Sequence, residues 1–331
     1  MENKILLSVK NLEKKFNMES GFFAKYGKFV NAVNDVSFDI FQNETYGLVG
    51  ESGCGKTTTA RLLVKMYELD NGEIFYNLSN FAKGNLSKIK KNDLAIYREK
   101  VKYVFQDPAK SLNPRMNVFK ILSSGIRWSS KKISDEQIYN LCEKIIEEVG
   151  LAKEDLERYP SDFSGGQRQR ISIARALLME PEILICDEVV SALDVSVQGQ
   201  ILNLLQDIRS KRNLSMIFIA HDLKVACYFC DRIGVMYKGQ LMEEATAKDL
   251  YEKALHPYTQ LLFSSVPGEN KKTFSDDENK SNRFLKTEID NQIFSGCPFA
   301  PRCKKATEKC FIESPEYKII SENHKVRCHN F

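Results

Sequence analysis

The stretch "GESGCGKT", Gly50 to Thr57, lies directly after the apolar run "YGLV" and directly before a helical stretch from about Lys56 to Met66. It matches G-x-x-x-x-G-K-[ST] in the strand-then-helix setting that this motif requires. Glycines let the backbone curl until its N–H groups face phosphate oxygens, and the helix N-terminus adds partial positive charge. Gly50, Glu51, Ser52, Gly53, Cys54, Gly55, Lys56, Thr57 and Thr58 are therefore candidate nucleotide-binding residues. Lys56 is placed to reach the β- and γ-phosphates, and Thr57 to offer a hydroxyl to Mg²⁺.

Two further stretches complete a phosphate chemistry. In "ILICDE", Ile183 to Glu188, four apolar residues bury a strand that delivers Asp187 to a Mg²⁺ shell. Glu188, one step beyond, is placed to orient an attacking water or accept its proton. In "FSGGQRQR", Phe163 to Arg170, a helix begins, because Ile171, Ala174 and Leu178 follow at helical spacing. A free hydroxyl on Ser164 and the bare N–H groups of Gly165 and Gly166 form a second anion-binding surface. The chain already carries its own phosphate loop, so this surface points to a second nucleotide.

Around these motifs, "ILLSVK", "AVNDVSFDI", "GEIFYN" and "VKYVFQD" read as short strands. Residues 18–29 lack a clear period and read as a loop insertion. Between Asp107 and Asp162 the pattern turns helical; in "SDEQIYNLCEKIIEEVGL", Ser134 and Gln137 predict a capping box. "PEILICDE", "SMIFIAHD" and "RIGVMYKG" suit fully buried parallel strands with helices as crossovers, an α/β architecture. A length of 331 residues accommodates one large domain plus an extension. The net charge of +4, with both signs interspersed, is far too mild to argue for nucleic acid as a partner, and none is expected. The start lacks the apolar core of a signal peptide, and no apolar run suffices to span a bilayer, which predicts a cytosolic chain with reduced thiols.

Taken together, these residues resemble the ATP-binding-cassette ATPases over about 265 residues. "GESGCGKT" is similar to the Walker A loop, "FSGGQ" to the signature, "ILICDE" to Walker B and "SALD" (Ser191–Asp194) to the D-loop. His221 in "IFIAHD" matches the switch histidine, Gln106 in "YVFQDP" the Q-loop glutamine, and Phe16 in "LEKKF" the aromatic that stacks on adenine. "QDPAKSLNPRM", "SALDVSVQGQILNLL" and "LHPYTQLLFSSVP" further resemble the dipeptide/oligopeptide permease branch, and within it the F subunit. Two positions depart: Val189 stands where a proline usually follows the glutamate, and Phe163 where the signature usually begins with leucine.

The resemblance implies a P-loop NTPase (RecA-like) core with a parallel sheet, an antiparallel β subdomain and a helical signature subdomain at about 107–165, the whole domain covering 1–267. It implies Mg²⁺ held by Thr57, Gln106 and Asp187, and catalysis by Glu188, His221 and Gln106. Ser164, Gly165, Gly166, Gln167 and Asp194 would serve the ATP of a partner cassette in a head-to-tail dimer. The implied partners are a second ATPase subunit, two integral membrane permease subunits and, indirectly, an extracellular solute-binding protein, with the chain on the inner face of the cell membrane. Peptides are the expected cargo, with nickel or another small solute as the alternative. A soluble cassette ATPase acting on ribosomes or DNA is the other class; one cassette, no sustained heptads and no basic stripe argue against it.

Four of the nine cysteines, Cys297, Cys303, Cys310 and Cys328, fall in a tail at 293–331, beyond a polar linker at 268–292. Reduced thiols there suit a metal centre that folds a small separate unit. Lys304, Lys305, Lys309 and Arg327 suit the net negative charge of a [4Fe–4S] cluster, whereas His324 and His329 keep Zn²⁺ as the alternative. Similar tails in the permease branch favour the cluster. Cys227 and Cys230, although C-x-x-C, read as core-facing on one helix side, and Cys54, Cys142 and Cys186 as packing.

Overall fold

A computed structural model describes residues 4–17, 29–76, 84–86, 89, 91–127, 133–264 and 295–331. The expected insertion at 18–29, except Phe29, and the expected linker at 268–292 lie outside them.

The chain opens with β1 (Ile5–Asn17), β2 (Phe29–Phe41), β3 (Thr45–Val49), α1 (Lys56–Leu63), β4 (Asn71–Tyr76) and the two-residue β5 (Gly84–Asn85). Four of these strands form an antiparallel sheet in the order β2-β1-β4-β5. Next come α2 (Lys91–Lys100) and β6 (Val101–Val104), and then a helical layer of α3 (Pro108–Ser111), α4 (Val118–Arg127) and α5 (Asp135–Glu148). The predicted capping box at Ser134 is present: Ser134 Oγ accepts from the Gln137 N–H at 3.2 Å, and the Gln137 side chain accepts from the Ser134 N–H at 2.9 Å. Then follow α6 (Gly165–Leu177), β7 (Ile183–Asp187), α7 (Val195–Arg212), β8 (Ser215–Ala220), α8 (Leu223–Phe229) and β9 (Arg232–Tyr237). The last elements are β10 (Gln240–Thr246), α9 (Ala247–Lys253), α10 (Pro257–Ser264), α11 (Glu308–Ile312), β11 (Tyr317–Ser321) and β12 (His324–Arg327).

The main sheet runs β11-β12-β10-β9-β3-β8-β7-β6. Its β9-β3-β8-β7-β6 part is parallel, and its β7 and β8 are buried along their whole lengths. Alternate residues feed two cores. Ile183, Ile185, Ile217 and Ile219 face the antiparallel sheet and α1, while Leu184, Cys186, Met216 and Phe218 face the helical layer. This two-faced burial is why those strands read as continuous apolar runs.

The other end corrects the expectation of a parallel sheet: the sheet is mixed. A two-residue turn with Lys238 at φ 43° and Gly239 at φ 82° sends β10 back antiparallel to β9. β12 then pairs with β10 and β11 with β12, so the tail supplies the last two strands at one end of the main sheet and does not stand apart.

β10 carries two adjacent glutamates yet lies in the interior. Glu243 is 0% exposed, and its carboxylate accepts from the N–H groups of Leu255 (2.7 Å) and His256 (3.0 Å) and contacts His324 Nε2 at 2.8 Å. Glu244 pairs with Arg232 at 3.2 Å. A buried charge persists only with such partners.

His256 is buried beside Glu243, with its Nδ1 accepting from the Tyr258 N–H at 3.0 Å. Burial lowers its pKa from 6.5 to about 4, so the folded state keeps the ring neutral. The unfolded chain binds the proton first as pH falls. Stability from this group is therefore complete above about pH 6.5 and drains between there and about pH 4, by up to about 3 kcal/mol. Urea unfolding across that window should show a shallower decline in His256→Asn than in the parent; parallel curves would remove His256 from the acid response.

Candidate functional site

The carboxyl ends of β3, β6, β7 and β8 all open on one edge of the parallel sheet, the place where α/β sheets gather ligands. After β3, the loop from Gly50 to Gly55 turns into α1. Two glycines make it possible. A Cβ on Gly50 (φ 155°) would sit 2.2 Å from the Met236 carbonyl oxygen, and one on Gly55 (φ 107°) 2.2 Å from that of Ala32. Lys56 is buried, and its ammonium donates to the carbonyls of Gly50 (2.8 Å) and Glu51 (3.0 Å). Cys54 is packed beneath the loop, its thiol pKa raised chiefly by burial, which fits the filler role read from the sequence.

Thr57 Oγ1 donates to Asp187 Oδ1 at 3.0 Å, and the Tyr103 hydroxyl donates to Oδ2. A hydroxyl from α1 and a carboxylate from β7 thus converge, an all-oxygen donor set suited to a hard divalent cation. The residue after Asp187 leaves the strand sharply. Glu188 has φ 48°, its N–H donates to the Ile219 carbonyl at 3.1 Å, and its own carbonyl accepts from Ser191 Oγ at 2.9 Å. Gln106 Nε2 donates to Glu188 Oε2 at 2.6 Å. His221 is exposed at the end of β8 and lines, with Glu188, a small cavity of about 70 Å³. Val189 is buried in the helical-side core, so the departure from proline is filled by packing.

The structure therefore gathers Lys56, Thr57, Gln106, Asp187, Glu188 and His221 at one edge. Ser164, Gly165, Gly166, Gln167 and Asp194 form a second group. Ser164 caps α6 reciprocally with Gln167, at 3.3 and 2.9 Å, so the glycines begin a true helix. The Gly166 backbone lies against Val197 and Gly165 against Leu193, which ties this turn to the exposed Asp194 at the start of α7. Phe16, half-buried near the end of β1, meets the Tyr67 ring edge-on at 5.4 Å.

Sequence reasoning missed three residues here. Tyr103 fixes Asp187, and its own pKa is raised by burial and by that carboxylate. The Tyr258 hydroxyl accepts from the Glu51 N–H at 3.0 Å. Arg302 grips both oxygens of Glu51, at 2.8 and 2.9 Å, and donates to the Tyr237 hydroxyl at 3.3 Å. Arg302 and Glu51 are 251 residues apart, so no local pattern signals the pair.

In the tail, Cys297, Cys310 and Cys328 are buried and Cys303 is half-buried. The Cys297 N–H donates to the Cys310 carbonyl at 2.8 Å. Burial pushes the Cys297 thiol up to about 11, with smaller contributions from the charges of Cys310 and Cys328. Among the described residues, no three His, Cys, Asp or Glu side chains stand close enough to hold one metal ion. The two histidines expected as zinc ligands are engaged elsewhere, His324 with Glu243 and His329 with the Glu313 carbonyl at 2.8 Å. Cys230 is buried and Cys227 half-buried against the same core; both are free thiols raised by burial.

Comparison with known proteins agrees with this geometry. Residues 33–191 match the family described as ABC transporter, and residues 242–310 match the oligopeptide/dipeptide transporter, C-terminal region. The chain is 41% identical over 330 residues to the oligopeptide transport ATP-binding protein OppF of Haemophilus influenzae, covering 98% of this chain and 97% of that one. It is 40% identical to the dipeptide transport ATP-binding protein DppF of the same organism, covering 99% and 97%. The fold is similar to the dimeric post-hydrolysis structure of the ATP-binding cassette MJ0796 bound to ADP and Pi (TM-score 0.62, 24% identity, 73% of this chain and 99% of that one). It is also similar to cbiO1 from Clostridium perfringens (TM-score 0.64, 22% identity, 76% and 92%). On these grounds the chain belongs to the ABC transporter family, among its oligopeptide and dipeptide transport ATP-binding proteins.

Proposed function

We propose that this chain is the ATP-hydrolysing subunit that powers import of oligopeptides or dipeptides through a membrane ABC transporter. The observation that carries it is the convergence of Thr57, Asp187, Glu188 and Gln106 beside a buried Lys56 at one sheet edge. Lys56 would exchange its loop carbonyls for the β- and γ-phosphates of ATP, and Phe16 would stack on adenine. Thr57, Gln106 and Asp187 would hold Mg²⁺, which supplies neutralisation of phosphate charge. Glu188 would orient and deprotonate the attacking water, with His221 across the small cavity holding the γ-phosphate side. Ser164, Gly165, Gly166, Gln167 and Asp194 would present donors to the nucleotide of a second ATPase subunit.

The same reading places the chain on the inner face of the cell membrane, bound to two integral permease subunits and serving an external solute-binding protein. Its catalytic domain would cover 1–267, with the helical layer at about 107–165 as the signature subdomain, a linker at 268–292 and the tail at 293–331. The test is ATP-driven uptake of a labelled tripeptide by vesicles that contain this chain and the membrane subunits that co-purify with it. Uptake that requires ATP and is lost in Lys56→Ala supports the reading; nickel uptake with no peptide uptake would replace the cargo, and pelleting with ribosomes would replace the class.

We further propose that Cys297, Cys303, Cys310 and Cys328 hold a [4Fe–4S] cluster. Cys297, Cys310 and Cys328 are buried in the tail, Cys303 is half-buried, and the Cys297 N–H donates to the Cys310 carbonyl at 2.8 Å, which supports a shared centre. A four-iron cubane takes one thiolate at each corner, which matches four cysteines, and its net negative charge suits the neighbouring Lys304, Lys305 and Lys309. Iron and sulfide determination after anaerobic purification should give about four of each per chain. One zinc and no colour would make the tail a zinc clip, and neither metal would leave four packed thiols.

A further inference from the structure

Glu51, the second residue of the phosphate loop, is held at three separate atoms. Its N–H donates to the Tyr258 hydroxyl at 3.0 Å, its carbonyl accepts from Lys56 at 3.0 Å, and its carboxylate receives the fork of Arg302 at 2.8 and 2.9 Å. Only the middle contact lies within the loop. The other two come from α10 and from the cysteine-bearing tail.

Arg302 is itself delivered by a hydrogen-bonded turn. It ends a short 3-10 turn, Ala300–Arg302, between Cys297 and Cys303. The Ala300 N–H donates to the Cys297 carbonyl at 3.0 Å, and the Cys303 N–H to the Ala300 carbonyl at 3.1 Å, so both cysteines pin the turn. The guanidinium lies 5.6 Å from the centre of the Tyr237 ring and 5.7 Å from that of Phe299. Phe299 is buried against Tyr237, Tyr258 and His256. One aromatic block therefore supports both outside contacts to Glu51.

We propose that Arg302 is a positioning residue for the nucleotide site: it holds and neutralises Glu51, so that the tail braces the phosphate loop from 251 residues away. The inference rests on the reading of this loop as the ATP site. Two effects separate it from a merely stabilising surface pair. The side chains of both partners remain about two-fifths exposed, at 43% and 42%, so solvent screens the pair and its share of global stability is small. Without Arg302, however, the loop would present an uncompensated carboxylate beside a polyphosphate, and would have to be ordered on binding. Both penalties fall on nucleotide affinity.

The experiment uses the purified full chain: equilibrium titration with MgADP, steady-state ATP turnover, and thermal unfolding of each variant. Arg302→Ala should weaken MgADP and raise the KM for ATP by about five-fold, with kcat changed far less. Arg302→Lys, which keeps the cation but loses the fork, should fall between the two. Adding Glu51→Gln to Arg302→Ala should restore part of the affinity by removing the stranded charge. An Arg302→Ala chain that binds MgADP as the parent does overturns the proposal, as does a loss unaffected by Glu51→Gln. If Arg302→Ala does not fold, Arg302→Lys decides by the same criteria. A parent chain that binds no nucleotide would instead overturn the ATP-site reading, and the clamp with it.

Discussion

Glu188→Gln should cut ATP turnover by about 10²–10³-fold while leaving ATP affinity within about three-fold of the parent. The substitution is isosteric, and the surroundings that hold the residue do not depend on its charge. The backbone at φ 48° is fixed by the Ile219 carbonyl and by Ser191. The contact from Gln106 Nε2 can be kept by the amide oxygen of the new side chain. What disappears is a carboxylate able to take a proton from water, at a residue adjacent to the Asp187–Thr57 pair. Binding would draw on Lys56, the loop and the proposed Mg²⁺ ligands, which stay in place. Single-turnover hydrolysis beside equilibrium ATP binding separates the two, and in the assembled transporter the variant should accumulate the closed, ATP-bound dimer. Turnover within a few-fold of the parent would transfer the water-activating role away from Glu188.

The chemistry was more legible than the architecture. A phosphate loop, a buried strand ending in Asp187 and a capped helix at Ser164 are local patterns, because each needs fixed residue types at fixed spacing. The capping boxes at Ser134 and Ser164 formed for the same reason. The edge of the main sheet was hidden because β10 buries Glu243 and Glu244, the first against His324, 81 residues away, and the second against Arg232 across the β9-β10 hairpin. A polar-looking strand gave no reason to expect a mixed sheet, or a tail paired onto it. The zinc alternative drew on His324 and His329 by proximity in sequence, and both rings are committed to other acceptors. Tyr103, Tyr258 and Arg302 were invisible for one shared reason: each acts on the site across the fold, from a stretch whose own composition is unremarkable.

Gly55→Ala should abolish measurable nucleotide binding and cost about 3 kcal/mol or more of stability, whereas Gly53→Ala should cost only about 1–2 kcal/mol and retain binding. Both residues have positive φ, 107° at Gly55 and 80° at Gly53, so backbone strain is common to the two. Their surroundings differ. A Cβ at Gly55 would meet the Ala32 carbonyl oxygen at 2.2 Å and the Met236 side chain at 3.3 Å, whereas one at Gly53 meets nothing within 4 Å. Ala32 sits at a register shift of β2, held between Asn31 and Val33, which pair with Lys15 and Lys14 of β1, so its carbonyl has little room to retreat. Relief must come from displacing Gly55, which is the N-cap of α1. That displacement would carry away the helix start, with Lys56 and Thr57, the residues proposed to meet phosphate and Mg²⁺. Chemical denaturation and MgADP titration on the two variants test the contrast. If the two lose binding equally, the positive φ of the loop alone sets its shape; if Gly55→Ala fails alone, the close approach of α1 to β2 is what holds the phosphate-facing end in place.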